Sequence, residues 1–285
     1  MADIVAEMLS YGFIVRALAV GVLVSMCASL LGASLVLKRY SMIGDGLSHV
    51  GYGALAVAAA FNLAPLHIAI PVVVIAAFFL LRLSQNSKLK GDALIAIISS
   101  SALAIGMIVI SVFQVNIDVN SYMFGSILAL QEEDVAVSAL SSAAVIVLYI
   151  LFYNKIFSVT FDESFSKATG IRTGVYNALI ALLTAVVIVV GMRLMGALLI
   201  SSLVIFPSLT AMRVCKSYRG VTVFSVVISV VCFVTGLTVT FYVPVPTGAC
   251  IVVANLAAFL ICTGVDKIRG ITLKKEIKKE KKHGF

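Results

Sequence analysis

Residues 12–37 read GFIVRALAVGVLVSMCASLLGASLVL, an apolar run interrupted by a single charge, Arg16. A membrane-spanning helix needs about 20 such residues, and this run exceeds that. Eight further runs of the same kind lie C-terminal to it, at roughly 43–62, 65–83, 92–113, 134–153, 175–191, 194–212, 220–241 and 247–265. All are continuously apolar and lack the ten-residue alternation of a membrane barrel, so the expected fold is an all-α polytopic membrane protein of about nine transmembrane helices. Residues 10–268 form the transmembrane domain and 269–285 a basic cytoplasmic tail.

Composition agrees. Of 285 residues, 61% are hydrophobic and only 12% charged, with a mean hydropathy of +1.14. A soluble domain carries about 25% charge, so the apolar surplus here has to face lipid. At that span density the chain leaves no room for a second, soluble domain, and no nucleotide-binding loop or nucleophile motif occurs in it. The chain is therefore not expected to be an enzyme. No basic region precedes the first apolar run, so that run is not expected to be a cleaved secretory signal. The five cysteines lack C-x-x-C spacing and read as small buried hydrophobes.

Lysine and arginine positions set the orientation. With the N-terminus outside and the C-terminus inside, all of the 21 cations except Arg16 and Arg193 fall on the cytoplasmic side. Eight of the nine tyrosines lie near span ends, where an aromatic belt belongs, and Tyr52 is the exception. The tail from Lys267 to Lys282 suits anionic lipid headgroups, and without interleaved aromatics it is not a nucleic-acid site.

Within that scarcity of charge, the second run opens Ser41-Met-Ile-Gly-Asp-Gly-Leu-Ser-His-Val-Gly-Tyr-Gly53. Asp45 and His49 are four residues apart and share one helix face. Ionisable groups at membrane depth cost about 2.5–3.5 kcal/mol each, and they normally face a partner, a bundle interior or an aqueous path. Two readings stand: a structural Asp/His contact, or an ion site, since imidazole with carboxylate suits zinc, manganese or iron(II). Two ligands are too few for these ions, but a two-fold homodimer would supply four, with Gly44, Gly46, Gly51 and Gly53 allowing the copies to approach closely. Asn255 and Thr235 read as interhelical hydrogen-bonding groups, Ser99 to Ser101 and Ser201-Ser202 as small packing residues, and Pro207 as a kink.

Two connections are longer than turns. Residues 114–133, with Glu132 and Glu133 and followed by Asp134, are expected to pack as a short helix at the outer mouth. The other reads Ser158-Val-Thr-Phe-Asp-Glu-Ser-Phe-Ser-Lys-Ala-Thr-Gly170. Thr160 and Glu163 have capping-box spacing and Gly170 suits a left-handed helix end, which predicts a short helix over 161–169. It either lies on the membrane or docks a cytoplasmic partner.

Taken together, Gly44-Asp-Gly-Leu-Ser-His49, Tyr122-Met-Phe-Gly-Ser-Ile127, Phe161-Asp-Glu with Lys167-Ala-Thr-Gly170, and Val190-Gly-Met-Arg-Leu-Met-Gly-Ala-Leu-Leu-Ile200 with Pro207 and Ala211 resemble the ABC-3 permeases of zinc, manganese and iron importers. The resemblance spans roughly residues 10–268. It implies a type II importer fold in which two permeases form the path, two cytoplasmic ATPase subunits drive it, and an extracytoplasmic metal-binding protein delivers the cargo. It further implies that Asp45 and His49 are the metal ligands, and that Phe161, Asp162, Glu163, Lys167 and Gly170 belong to the helix that couples to the ATPase. The expected protein is thus a multi-pass permease of the inner (plasma) membrane with no permanently bound cofactor and Zn²⁺ or Mn²⁺ as cargo, zinc being favoured by overall likeness. A secondary transporter driven by an ion gradient would show inverted repeats and intramembrane acids in both halves, and an intramembrane enzyme a second catalytic group at depth; the sequence has neither.

Overall fold

The computed structural model describes residues 10–63, 65–86, 91–114, 125 and 132–283, all helical apart from short connections. In chain order the helices are α1 (Gly12–Leu37), α2 (Ile43–Ala60), α3 (Pro65–Asn86), α4 (Gly91–Phe113), α5 (Glu132–Leu151), α6 (Tyr153–Phe161), α7 (Glu163–Ala168), α8 (Thr173–Met195), α9 (Ala197–Val214), α10 (Tyr218–Tyr242) and α11 (Thr247–His283). Every expected apolar run is a helix. Among the described residues, α1, α8, α9, α10 and the greater parts of α4 and α11 are each long and apolar enough to cross a membrane, and α5 with α6 would add a seventh span but for a 70° bend between them. Helix α2, carrying Asp45 and His49, is not apolar enough over its 18 residues, and the described apolar stretch of α3, Ile68–Leu80, is too short. The outer-mouth helix expected within 114–133 lies outside the described residues except at its ends and at Gly125.

Helix α1 runs through the centre of the bundle, packed on α5, α8, α9 and α10. Its small residues permit this. A Cβ on Gly32 would lie 2.0 Å from the Val204 carbonyl oxygen of α9. Serines close the same seams by bonding across helices: Ser229 Oγ donates to the Ser25 carbonyl at 3.0 Å and Ser225 Oγ to the Ser29 carbonyl at 3.2 Å. In lipid, where no hydrophobic force separates helix from solvent, close packing and such bonds hold a bundle together. Helices α4 and α11 instead turn most of their apolar surface outward, including Ile97, Ile105, Ile108, Leu260 and Ile261.

Several sequence expectations change here. Asn255 is fully buried, yet its Nδ2 donates to the Ile251 carbonyl of its own helix; Thr235 likewise bonds Val231. Neither joins two helices. Tyr149 and Tyr218 are not belt residues: both are buried, with Tyr218 OH 2.7 Å from Ser34 Oγ and 3.0 Å from Tyr149 OH. A tyrosine near a span end can satisfy its hydroxyl inside the bundle as well as at the headgroups, and these two do the former. Pro207 sits buried inside a continuous α9. Ser201 and Ser202 are buried and bond within their own helix, as packing residues do, whereas Ser100 and Ser101 are exposed. All five cysteines are free, with Cys27 and Cys232 buried.

Candidate functional site

Among the described residues, the polar groups singled out by the sequence lie at the first turns of α2 and at α7 with its anchors.

Helix α1 ends in a tight turn. Arg39 has a positive φ of 62°, its N–H donates to the Val36 carbonyl and that of Tyr40 to the Leu35 carbonyl, closing the double-bonded helix end that glycine usually serves. Ile43 N–H then donates to Tyr40 and Gly46 N–H to Met42, and α2 begins. Asp45 falls in the first turn of α2, where unpaired N–H groups favour a carboxylate. One turn on, His49 Nε2 lies 3.7 Å from Asp45 Oδ2, with side chains 27% and 47% exposed. His49 Nδ1 is buried without a hydrogen-bond partner. The two groups therefore share a face, as their spacing predicts, and reach the same partly open region. Among the described residues no group of three or more His, Cys, Asp or Glu side chains gathers, so one chain contributes two donors here.

The glycines around this pair do not serve the role expected of them. A Cβ on Gly46 would lie 2.5 Å from Ile95 Cγ2, one on Gly53 2.7 Å from the Ala102 carbonyl oxygen, and one on Gly51 2.6 Å from Met192 Cε. Gly44 faces Ser201 of α9. In the structure their close approach is to α4, α8 and α9 of the same chain. Tyr52, on that buried side, donates its hydroxyl to Met107 Sδ at 3.2 Å. Packing of α2 against α4 is thus what fixes the Asp45 and His49 face.

At the second place the structure departs from the capping pattern that the sequence suggests. The sequence reads as a connection up to residue 161, but Tyr153–Phe161 is helix α6, with Ile156, Val159 and Thr160 buried. Thr160 is consequently inside a helix and caps nothing; its Oγ1 is buried without a hydrogen-bond partner. The cap is Asp162, whose Oδ1 accepts from Phe165 N–H at 2.8 Å, and α7 spans Glu163–Ala168. Lys167 lies in its last turn, where a cation is favoured. Gly170 has φ of 82°, its N–H donates to Lys167 and that of Ile171 to Ser166, so the helix end is the one its glycine predicts. Phe161 and Phe165 project from the surface, both more than 60% exposed.

Glu163 has a different partner from the expected cap amide. Lys38, at the end of α1, places Nζ 2.5 Å from Asn177 Oδ1 on α8 and 3.5 Å from Glu163 Oε2, while Asn177 Nδ2 donates to Glu163 Oε1 at 3.0 Å. Burial draws the Lys38 ammonium below its ordinary pKa, and the Glu163 carboxylate opposes that shift. Ser158 and Ser166 hydroxyls, 2.7 Å apart, fasten α7 to α6. Sequence reasoning does not pick out Lys38 and Asn177 as site residues. The available signal is Asn177 itself, an amide alone at the head of a long apolar run.

Residues 10–265 match the family described as the ABC 3 transport family. A "Probable iron transport system membrane protein" of Haemophilus influenzae is 28% identical over 261 residues, covering 92% of this chain and 93% of that protein. The "High-affinity zinc uptake system membrane protein ZnuB" of Buchnera aphidicola (subsp. Acyrthosiphon pisum) is 29% identical over 85% of this chain and 93% of its own. Among solved structures, PsaBC from Streptococcus pneumoniae in complex with Fab superposes with a TM-score of 0.81 at 30% identity, covering 92% of this chain and 94% of that one.

Proposed function

The chain belongs to the ABC 3 transport family and is a multi-span membrane permease of an ABC-type metal importer, and from that premise we propose that it carries a divalent transition metal ion through a path lined by Asp45 and His49. The observation that carries this reading is the pair itself: a carboxylate and an imidazole 3.7 Å apart on one half-exposed helix face, in a chain that spends almost no charge at that depth. Nitrogen and oxygen bound to one tetrahedral zinc at about 2.1 Å are about 3.4 Å apart, so a small rotation of either side chain brings both onto an ion.

Two donors leave the ion under-coordinated, and a second copy of the chain completes the set: four donors for a tetrahedral zinc, or four with waters for octahedral manganese or iron(II). Since the α2 glycines are spent within the chain, the copies meet through the exposed side of Asp45 and His49 and not through a glycine seam. In this arrangement the chain crosses the membrane nine times with its N-terminus outside, α2 being a span sheltered by its neighbours and α3 one that turns Val72, Ile75, Phe78 and Phe79 outward. A separate cytoplasmic ATPase supplies the energy, a metal-binding protein outside delivers the ion, and α7, with exposed Phe161 and Phe165, meets the ATPase.

Transport then needs the ion to bind well enough to shed water and weakly enough to leave. Mixed carboxylate and imidazole donors, partly open to solvent, serve both ends of that requirement. Reconstitution of the permease with its ATPase and binding protein in vesicles tests the reading: ATP should drive accumulation of Zn²⁺, Mn²⁺ or Fe²⁺. Accumulation of none of them, with ATP hydrolysis intact, overturns it.

A further inference from the structure

We infer that Lys38, Glu163 and Asn177 form a mechanical latch that carries movement of α7 to the α1–α2 turn, and so to Asp45. The inference rests on the reading of α7 as the ATPase-docking helix and says how force would leave it. Helix α7 is a single short helix of Glu163–Ala168 that cannot hold a position alone. It is fixed to α6 by Ser158 and Ser166, and through Glu163 to Asn177 of α8 and Lys38 of α1. Lys38 is the unusual member. Its side chain is only 9% exposed, whereas the adjacent Arg39 turns outward as a membrane-edge cation normally does. A lysine brought in from water loses hydration, so an inward position is favoured only while both partners hold the ammonium.

The turn between α1 and α2 makes the latch directional. From Lys38 to Ile43 it is closed by backbone bonds from Arg39, Tyr40 and Ile43, with Arg39 held at positive φ, and no loose linker separates it from α2. Asp45 is in the first turn of that helix. A displacement of Glu163 therefore pulls the end of α1 and the start of α2 as one piece, while Asn177 carries the same displacement into α8, which packs against α2 as well. Lys38, Glu163 and Asn177 act as positioning residues, touching neither ion nor nucleotide.

The test measures ATP hydrolysed per ion imported by the reconstituted importer. Glu163→Gln keeps shape and one hydrogen bond while removing the charge; Lys38→Met removes the cation. Each should raise the ratio by roughly two- to thirtyfold, the range expected for residues along a coupling route, with assembly unchanged by size-exclusion chromatography. The exchanged pair Lys38→Glu with Glu163→Lys re-forms the ion pair and should bring the ratio back toward wild type; a merely structural role would change assembly and leave the ratio alone. A wild-type ratio in Glu163→Gln, or an exchanged pair worse than either single variant, overturns the latch. Crosslinking from Ser164→Cys, on the exposed side of α7, separates the two levels: a crosslink to the ATPase with an unchanged ratio removes the latch alone, and no crosslink removes the docking helix and the latch together.

Discussion

Lys38 Nζ lies 3.5 Å from Glu163 Oε2, joining the end of α1 to the first residue of α7 across 125 positions of sequence. Helix α1 is the centre of the bundle and leads directly into the helix that bears Asp45 and His49. The contact therefore links the helix proposed to meet the ATPase to the region proposed to hold the cargo.

Burial lowers the Lys38 pKa, which makes a signed prediction. Between that lowered value and the ordinary 10.5, the unfolded chain binds more protons at this site than the folded one, so folding stability gains as pH rises through the window and loses as it falls. Wild type compared with Lys38→Met should therefore improve in thermal midpoint from pH 8 to pH 10 in detergent. A difference that is flat or falls with pH contradicts the lowering of the Lys38 pKa by burial.

Asp162 caps α7 from a partly solvated position. Asp162→Ala should cost about 1 kcal/mol of local helix stability, seen as faster hydrogen exchange over 163–170 with little change in exchange elsewhere. Thr160→Ala, by contrast, should leave that exchange unchanged, because Thr160 makes no cap; accelerated exchange there would restore the capping box.

The same segment shows how much of the molecule was legible in its sequence. The short helix is visible because Gly170 and Glu163 are end signals that act locally. Its start is hidden because α6 continues through Phe161: Ile156 and Val159 bury one face, a tertiary effect that turns Thr160 from a cap into a core residue. Asp45 and His49 stand out because ionisable groups are rare and costly in so apolar a chain. Lys38 does not, since a lysine beside a span end reads as a topology signal, and only the fold brings Glu163 and Asn177 to it. The α2 glycines read as a surface for close approach of a second copy, but sequence cannot say which neighbour approaches, and in the structure α4, α8 and α9 of the same chain pack on them.

That packing gives a contrast between two glycines. Gly53→Ala puts a Cβ 2.7 Å from the Ala102 carbonyl oxygen, a backbone atom with no room to yield, and should destabilise the detergent-solubilised protein by about 1–3 kcal/mol. Gly170→Ala meets nothing within 4 Å, but its φ of 82° disfavours a side chain, so it should cost about 1 kcal/mol. Thermal unfolding of the two variants should rank Gly53→Ala lower; the reverse order would contradict the α2–α4 contact.

Asp45 and His49 are proposed to hold the ion in transit, and every other role assigned to the chain serves that one. Uptake of radioactive metal ion by the reconstituted importer, with Asp45→Asn and His49→Ala assembled as wild type, tests it most directly. Accumulation should be abolished in both variants while the complex remains intact; wild-type accumulation in either contradicts the assignment.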